Sequence, residues 1–351
     1  MAKFGFIIPV YNTPSHLLNE CVQSVLDQTF QDLEIVIVDD YSDEKTAKYC
    51  DEIGLKDSRI RIIHHKINSG LSAARNTGIK NINAEWLFFI DSDDYIEKDS
   101  CEQIQSLLDC YECDFFQLSG YLNFKNKQID CSFEYNNAVL LSKYEDREDF
   151  QKKYLLSQTK AGTINAFPIQ SACIKVVKKQ FLIDKQISFV DVKFAEDAIF
   201  HFYITEMADS FVVAPVRFYH YRCVETSMVN SFRKNADKEQ LSVMNEMWKF
   251  KETFHKNVDF EKAMYMLSFV SLQMCIWQKF YNKLNTDSWT KRRLELKRFI
   301  KQKPYDQTMK NVPFYSLRAN QKIKFILLKM HLYSLLVDLR SMYNKKTGKI
   351  S

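Results

Sequence analysis

The sequence predicts an α/β fold in which a mostly parallel, Rossmann-like sheet is flanked by helices and followed by an all-helical C-terminal extension. Over the first hundred residues, short apolar runs rich in β-branched side chains alternate with segments of helical periodicity. Buried strands separated by helices are typical of parallel sheets, because the crossover helices cover both faces. Beyond residue 231 the helical pattern continues without a strong strand signal. The 351 residues, 46% of them hydrophobic, suffice for a sizeable core and exclude a disordered chain.

The first elements follow from apolar spacing. Buried strands are predicted at residues 4–10, 33–38, 60–63 and 86–90. Helices are predicted where apolar residues recur every three or four positions, at residues 15–28, 43–53 and 69–80. Ser15 and Ser69 stand where helix N-caps are expected. Further along, the pattern predicts a helix over 98–109, a strand over 114–118 and a helix over 196–207.

The chain is predicted to form two domains of opposite charge. An α/β domain covers residues 1–230 and divides near residue 115, and a basic helical domain covers residues 231–351. Residues 279–351 contain 18 basic and 4 acidic side chains, whereas residues 1–278 contain 31 basic and 40 acidic ones. A basic excess of this size is attracted to anionic surfaces.

The C-terminal region contains no apolar run that predicts a membrane span. Its best run, Ile323–Leu339, has twelve apolar residues of seventeen and is interrupted by charged residues and a histidine. An apolar helix beside basic side chains favours either a surface helix on anionic lipid or a helix packed on its own domain. Pairing of two copies into a homodimer through these helices is a further option. Nucleic-acid binding is not expected, because no recognition motif is present.

Cysteine usage and the N-terminus predict the compartment. Nine cysteines are present, an odd number, and the only CxxC pair is Cys110 and Cys113. The first residues lack the basic start and the cleavage site of a secretory signal peptide. We therefore expect reduced thiols and a cytoplasmic protein.

Polar residues follow three of the predicted strands, where open α/β sheets bind ligands. Tyr11 and Asn12 follow the first strand, Asp39 and Asp40 the second, and Asp91-Ser-Asp-Asp94 the fourth. The closely spaced carboxylates after the fourth strand suit Mg²⁺ or Mn²⁺, above all when a diphosphate completes the shell. A solvated acidic turn is the alternative. The carboxylates after the second strand suit a base N–H or a ribose hydroxyl, and helix capping is their alternative.

Seven short motifs in the sequence are similar, in their order, to those of a known family. Five follow one another at Ile8–Asn12, Ser24–Phe30, Val36–Ser42, Asn68–Gly78 and Phe89–Tyr95. Two more lie at Ala195–Phe200 and Phe218–Arg222. In this order the series closely resembles the family 2 glycosyltransferases, inverting sugar-nucleotide enzymes with the GT-A fold, here of the type that builds bacterial surface glycans such as lipopolysaccharide or capsule. The resemblance implies a nucleotide-sugar-binding part over 1–115 and an acceptor-side part over 116–230.

The resemblance implies roles for the residues that match family positions. Those implied to bind the nucleotide are Pro9, Tyr11, Asn12, Asp40, Arg75 and Asp91. Tyr11 would lie against the uracil of a UDP-sugar, and Asp40 would accept from its ring N–H. Asp93, together with Asp91, would hold the Mn²⁺ or Mg²⁺ that binds the diphosphate, with Asp94 only orienting Asp93. The chain departs from the family at Tyr41, where Gly is usual.

Inverting transfer also needs a general base, because a sugar hydroxyl has a pKa far above 7. Glu196 and Asp197 match the acidic pair of the family, and position favours Asp197 as the base; the same pair also suits a helix start. His220 and Arg222 stand two apart on a predicted strand and so share a face. They would either contact the diphosphate or simply pack. Arg75 would otherwise be a surface cation of its helix.

The sequence therefore predicts an inverting glycosyltransferase that moves a hexose or N-acetylhexosamine from a UDP-sugar to a glycan or lipid-linked acceptor. The reaction would be a metal-assisted direct displacement with a carboxylate base, carried out in the cytoplasm and peripherally on the inner face of the cytoplasmic membrane. Glu225–Met228 is a candidate acceptor loop. Two alternatives stay open: a sugar-nucleotide nucleotidyltransferase, whose usual Gly-rich loop is missing from Ile8–Asn12, and a non-catalytic membrane- or partner-binding protein.

Overall fold

Four parallel strands form the N-terminal part of the sheet. The computed structural model describes residues 1–131, 135–156, 170–223 and 232–336. The strands are β1 (Ala2–Val10), β2 (Leu33–Asp39), β3 (Ile60–His64) and β4 (Ala84–Phe89). They lie side by side in the order β3-β2-β1-β4, so the carboxyl ends of β2, β1 and β4 are neighbours at one edge. All four predicted strands are confirmed.

Three helices connect these strands: α1 (Ser15–Leu26), α2 (Glu44–Gly54) and α3 (Leu71–Asn81). They confirm the predicted helices to within two residues at each end. The predicted N-caps, Ser15 and Ser69, are wrong, because Pro14 precedes α1 and Gly70 precedes α3. Gly70 has a φ of 92°, which glycine adopts without steric cost. The Ser69 N–H instead donates to Asp40 at 2.8 Å.

The second half of the sheet contains strands in both directions. In chain order its elements are β5 (Tyr95–Ile96), α4 (Ser100–Leu108), β6 (Phe115–Phe124), β7 (Lys127–Cys131), β8 (Val139–Leu141), α5 (Tyr144–Leu156), β9 (Lys175–Lys178), α6 (Lys179–Asp184), α7 (Glu196–Met207) and β10 (Phe211–Arg222). From β4 the sheet continues as β9-β6-β10-β5, with β7 paired to β6 and β8 paired to β10. Strand β9 is antiparallel to both β4 and β6, whereas β10 is parallel to β6.

The predicted fold class is confirmed: the described part of the chain forms an α/β sheet of ten strands flanked by helices. Parallel pairing, predicted for most of the sheet, is continuous only from β3 to β4. A 3-10 turn at Ala172–Ile174 leads directly into β9. The predicted helices over 98–109 and 196–207 are α4 and α7, and the strand predicted over 114–118 continues as the longer β6.

Apolar side chains fill both faces of the sheet. Along β1, Phe6 and Ile7 point to opposite faces and belong to separate buried clusters. In the first cluster Phe6 stacks on Phe88, with ring centroids 4.5 Å apart. In the second, Phe115 stacks on Phe211 at 4.6 Å. All nine cysteines lie in the described residues; none forms a disulfide, and seven are buried.

The chain divides into two compact units, Met1–Gln151 with Asn165–Glu225, and Lys152–Ile164 with Thr226–Ser351. The second unit contains α8 (Ala236–Thr253), α9 (Val258–Cys275), a π-helical turn (Ile276–Phe280), α10 (Trp289–Ile300), α11 (Tyr305–Asn311) and α12 (Ala319–Lys329). The predicted helical C-terminal region is thus confirmed over its described part. Within the described ranges, no helix is both long enough and apolar enough to cross a membrane.

Gly120 is required by the close approach of β6 and β10. It lies opposite Tyr219, and a Cβ at this position would overlap the Tyr219 carbonyl oxygen. We expect Gly120→Ala to lower the free energy of unfolding by about 1–3 kcal/mol, because backbone must move to admit the methyl group. Urea unfolding followed by circular dichroism measures the change.

Gly54→Ala is the matched control. Its Cβ would meet only the side chain of Ile62, which can rotate away, so a smaller loss is expected. A loss at Gly120 no larger than the loss at Gly54 would contradict the proposed backbone clash.

Candidate active site

The turn after β4 is braced by a buried carboxylate. The Asp94 N–H donates to the Asp91 carbonyl at 2.9 Å, which closes the turn. The Asp94 carboxyl group accepts from the Tyr219 hydroxyl at 2.6 Å and from the Arg222 N–H at 2.7 Å. Burial, followed by the charge of Asp91, raises the pKa of Asp94 to about 8. Asp94 therefore ties the turn to β10 and is not exposed to a ligand.

Asp93 is the accessible carboxylate of this turn. Its side chain is exposed and makes no hydrogen bond or ion pair with any other described residue. Partial desolvation and the neighbouring charge of Asp91 raise the pKa of Asp93, whereas Arg222 opposes that shift. A carboxylate in this state is available for a cation.

Arg75 on α3 joins carboxylates from two distant parts of the chain. Its guanidinium is buried; one terminal nitrogen donates to Asp91 Oδ1 at 3.0 Å. The other donates to Glu196 Oε1 at 2.9 Å and to Asp197 Oδ1. Burial alone would lower the pKa of Arg75, but the charges of Asp197 and Asp91 outweigh it and hold the pKa well above its usual value. The guanidinium carbon also lies 5.1 Å from the Phe189 ring centroid.

The start of α7 presents the acidic pair to this guanidinium. Ala195, just before the helix, has a φ of 56°, a strained left-handed conformation for alanine. Asp197 accepts from Arg75 through one oxygen and from the Ala172 N–H, at 3.0 Å, through the other. Burial and then the charge of Asp197 raise the pKa of Glu196 to about 7. Arg75 thus brings Asp91 together with Glu196 and Asp197 in the structure.

Five carboxyl groups gather at this edge of the sheet. They belong to Asp91, Asp93, Asp94, Glu196 and Asp197, and the cationic side chains of Arg75, Arg222 and the buried Lys175 act on them. Yet the described residues contain no group of three or more Asp, Glu, His or Cys side chains arranged to hold a metal ion. Asp93, with its unused oxygens, fits a cation whose remaining ligands come from a bound diphosphate.

The carboxyl ends of β1 and β2 form a second, less acidic region of the same edge. Tyr11 is 55% exposed, whereas Pro9 is buried in β1 and pairs with Val38. The Asn12 N–H donates to Ser42 Oγ at 3.0 Å. Tyr11 is therefore the accessible residue among those predicted to face the base.

Asp40 is buried and already has partners within the chain. Its carboxylate accepts from the backbone N–H groups of Ser69 (2.8 Å) and Gly70 (2.7 Å) and contacts His65 Nδ1 (2.7 Å). Asp43, and not Asp40, caps α2, by accepting from the Thr46 N–H. Asp40 thus holds the loop before α3.

His65 and His64 received no role in the sequence analysis, yet both support the carboxylates after β2. His65 bridges Asp40 and Thr77, and His64 contacts Asp39 Oδ2 at 2.8 Å. Since β3 lies beside β2 and runs parallel to it, residues at the carboxyl end of β3 must reach the same edge of the sheet. The strand-end rule applied to β3 would therefore have identified His64 and His65. Tyr219, which donates to Asp94, does not follow the end of a predicted parallel strand, so the same rule does not identify it.

On β10, the two predicted contact residues differ. His220 is buried between the rings of Tyr95 and Tyr121, at 4.3 and 4.8 Å, and its Nε2 contacts Glu97 at 2.8 Å. Arg222 pairs with Glu20 at 2.7 Å and lies 4.7 Å from the Tyr95 ring centroid. Both residues contact Tyr95, as expected for side chains on the same face of β10. His220, however, packs between two rings. The candidate acceptor loop, residues 225–228, lies outside the described residues.

Comparison with known proteins finds similarity to glycosyltransferases. Residues 6–167 match the sequence profile of glycosyl transferase family 2. The chain is similar to the glycosyltransferase GlyA of Streptococcus pneumoniae serotype 4, with 30% identity over 227 residues that cover 64% of this chain and 31% of GlyA. It is also similar to EpsH of Bacillus subtilis, with 26% identity over 270 residues that cover 74% of this chain and 72% of EpsH. The chain thus spans about a third of the length of GlyA.

The fold is shared with a solved structure. The crystal structure of S. aureus TarS 1–349 in complex with UDP-GlcNAc matches with a TM-score of 0.65 and 18% sequence identity. The match covers 98% of this chain and 92% of that chain. At this identity it shows the GT-A fold.

Arg75 should be essential for the stability of this acidic site. We expect Arg75→Met to lower the free energy of unfolding by about 3–5 kcal/mol at pH 8, because Asp91, Glu196 and Asp197 lose their shared cation. The loss should shrink at pH 5. A carboxyl group whose pKa is raised in the folded state, as for Glu196, costs stability as the pH rises through that pKa.

Urea unfolding of wild type and variant at both pH values measures the difference. Arg61→Met is the control, since Arg61 is exposed and pairs with Glu34, and a loss of about 0–1 kcal/mol is expected there. An Arg75 loss that is the same at pH 5 and pH 8 would contradict the electrostatic origin.

Proposed function

We propose that the chain, whose residues 6–167 match the profile of glycosyl transferase family 2, is an inverting glycosyltransferase. It would move a hexose or N-acetylhexosamine from a UDP-sugar to a glycan or lipid-linked acceptor. The observation that carries this proposal is the convergence of Asp91 and Asp197 on the Arg75 guanidinium. A carboxylate on the diphosphate side and a carboxylate able to deprotonate an acceptor hydroxyl thereby belong to one site.

Asp197 is the general base in this proposal. A carboxylate offers about four acceptor positions, and two are used here, by Arg75 and by the Ala172 N–H. The remaining positions can take the proton of a sugar hydroxyl while its oxygen attacks the anomeric carbon. Arg75 and the Ala172 N–H position Asp197, and Glu196 shares the same guanidinium.

Asp93, with Asp91 beside it, would hold Mn²⁺ or Mg²⁺ at the end of β4. When bound, the ion would supply Lewis-acid stabilisation of the charge on the departing nucleoside diphosphate. Asp94 keeps the turn in place through Tyr219 and the backbone of β10. Arg222, whose charge acts on Asp93, remains a candidate for contact with the diphosphate, whereas His220 supports its strand from within a stack of rings.

The nucleotide end of the site lies at β1 and β2. Tyr11 offers an exposed ring for the uracil. Asp40 uses three of about four acceptor positions within the chain, so one stays for a base N–H. Pro9 and Asn12 would shape this end, because Pro9 is buried in β1 and Asn12 bonds to the loop after β2.

Two other functions make different predictions for the same protein. A sugar-nucleotide nucleotidyltransferase would release pyrophosphate from a nucleoside triphosphate and a sugar phosphate. A non-catalytic binding protein would show no metal-dependent hydrolysis of any nucleotide sugar. The proposed transferase releases UDP from a UDP-sugar and no pyrophosphate.

Membrane association is supported by α12, in the second unit. Ile323, Ile326 and Met330 are exposed and recur at helical spacing at α12 and its C-cap. Lys322 and Lys329 lie on the same short segment, so apolar and cationic groups stand together. We propose that this face rests on an anionic membrane surface, at the inner face of the cytoplasmic membrane, where lipid-linked acceptors would be found. A homodimer through the C-terminal helices stays a prediction.

The chemistry is tested by replacing the proposed base. With the best donor from a panel of UDP-sugars, each assayed with Mn²⁺ and Mg²⁺, Asp197→Asn should reduce turnover by about 10²–10⁴-fold. Binding of the donor should stay within a few-fold of wild type, because the amide preserves shape. UDP release and calorimetric titration measure the two effects.

Asp184→Asn is the matched control, because Asp184 is exposed at the end of α6. This variant should leave turnover unchanged. Asp93→Ala should remove the stimulation by divalent ions. Full turnover in the Asp197→Asn variant would refute its role as the base.

Membrane association is tested by vesicle flotation. The wild-type chain should float with vesicles rich in anionic phospholipid and much less with neutral ones, and salt should weaken the binding. Replacing Ile323 and Ile326 together by Ser should reduce flotation strongly, whereas Leu284→Ser, at another exposed position of the same unit, should not. Equal flotation of the double variant and wild type would exclude this face.

A further inference from the structure

Tyr41 combines backbone strain with a free side chain. It follows the two aspartates after β2 and has a φ of 65°, the left-handed region that bulky L-residues rarely adopt. Its side chain is 58% exposed and makes no hydrogen bond, ion pair or ring contact with any described residue. Side-chain hydrogen bonds, ion pairs and ring contacts within the described chain therefore do not compensate for the strain. Strained residues of this kind concentrate at binding and catalytic sites.

Hydrogen bonds hold the loop that carries Tyr41. The Ser42 N–H donates to Asp39 Oδ1 at 3.0 Å, and Ser42 Oγ accepts from the Asn12 N–H at 3.0 Å. In return, the Asp43 N–H donates to Asn12 Oδ1 at 2.8 Å. The loops after β1 and β2 are thus fastened to each other on both sides of Tyr41.

Tyr11 and Tyr41 stand on neighbouring strand ends. Val10 pairs with Asp39, and the Asp40 N–H donates to the Val10 carbonyl at 2.8 Å, so each tyrosine directly follows this last rung. Both rings are more than half exposed, and they do not stack on each other. Two solvated aromatic rings fixed at one edge of a crevice are suited to a flat ligand.

We propose that Tyr41 is a second stacking residue for the nucleobase of the donor, acting with Tyr11 at the β1–β2 end of the crevice. This inference rests on the proposed function and deepens it. Parallel strands are about 4.8 Å apart, so β2 and β4 are separated by about 10 Å. That separation sets Tyr41 apart from Asp91 and Asp93. Tyr41 therefore serves the base and not the sugar being transferred.

Binding of UDP and of inorganic pyrophosphate, measured by calorimetry with Mg²⁺ present, tests the proposal. Tyr41→Gly should weaken UDP binding roughly ten-fold or more, because base–aromatic stacking is lost, and leave pyrophosphate binding unchanged. The unfolding midpoint should not fall, since glycine adopts a positive φ freely. Tyr41→Asn, which also tolerates this conformation, should show the same loss, and Tyr41→Phe should stay within about three-fold of wild type.

Gln186→Gly is the matched control. Gln186 also has a positive φ, 52°, but it follows α6, which begins at the opposite edge of the sheet. The UDP affinity of the Gln186→Gly variant should therefore equal that of wild type. If wild type binds UDP and Tyr41→Gly binds it equally well, or if UDP and pyrophosphate weaken alike, the stacking role is overturned while the proposed function stands. Absence of UDP binding to the folded wild type would overturn both.

Discussion

The structure depends on one buried cation. The Arg75 guanidinium, almost without solvent contact, receives carboxylates from the turn after β4 and from the first turn of α7. In a medium of low dielectric these charges would repel one another strongly if the cation were removed, so their positions are fixed together. Two further contacts complete the arrangement, since Tyr219 holds Asp94 and the Ala172 N–H holds Asp197.

The two regions of this sheet edge, one at β4 and α7 and the other at β1 and β2, differ in their side-chain chemistry. At β4 and α7 the side chains are acidic, partly buried and raised in pKa, which suits charge development and proton transfer. At β1 and β2 the accessible groups are the rings of Tyr11 and Tyr41, while Asp40 is buried and shapes the loop. A nucleotide sugar has matching ends, with a flat base at one and a reacting, charged centre at the other.

Much of the fold was predictable because its signals are local. Apolar runs and helical spacing gave β1 to β4 and the helices between them, and the strand-end rule placed Asp91 and Asp93 at the crevice. Arg75 was assigned to the nucleotide or to the helix surface, because nothing in α3 shows that three carboxylates will surround it. The direction of β9 and the burial of His220 between two rings likewise depend on distant segments. The left-handed conformation of Tyr41 was not predicted, although its position was identified as a departure from the glycine usual in the family.

Because Arg75 engages Asp91 while Asp93 stays free, the site should bind a divalent ion tightly only together with a diphosphate. Electron paramagnetic resonance of Mn²⁺, titrated with the chain in the absence and presence of UDP, tests this most directly. We predict weak loss of the free Mn²⁺ signal without UDP and strong loss with it, abolished by Asp93→Ala. Equally tight Mn²⁺ binding without UDP, or no binding when UDP is present, would contradict this assignment of the acidic turn.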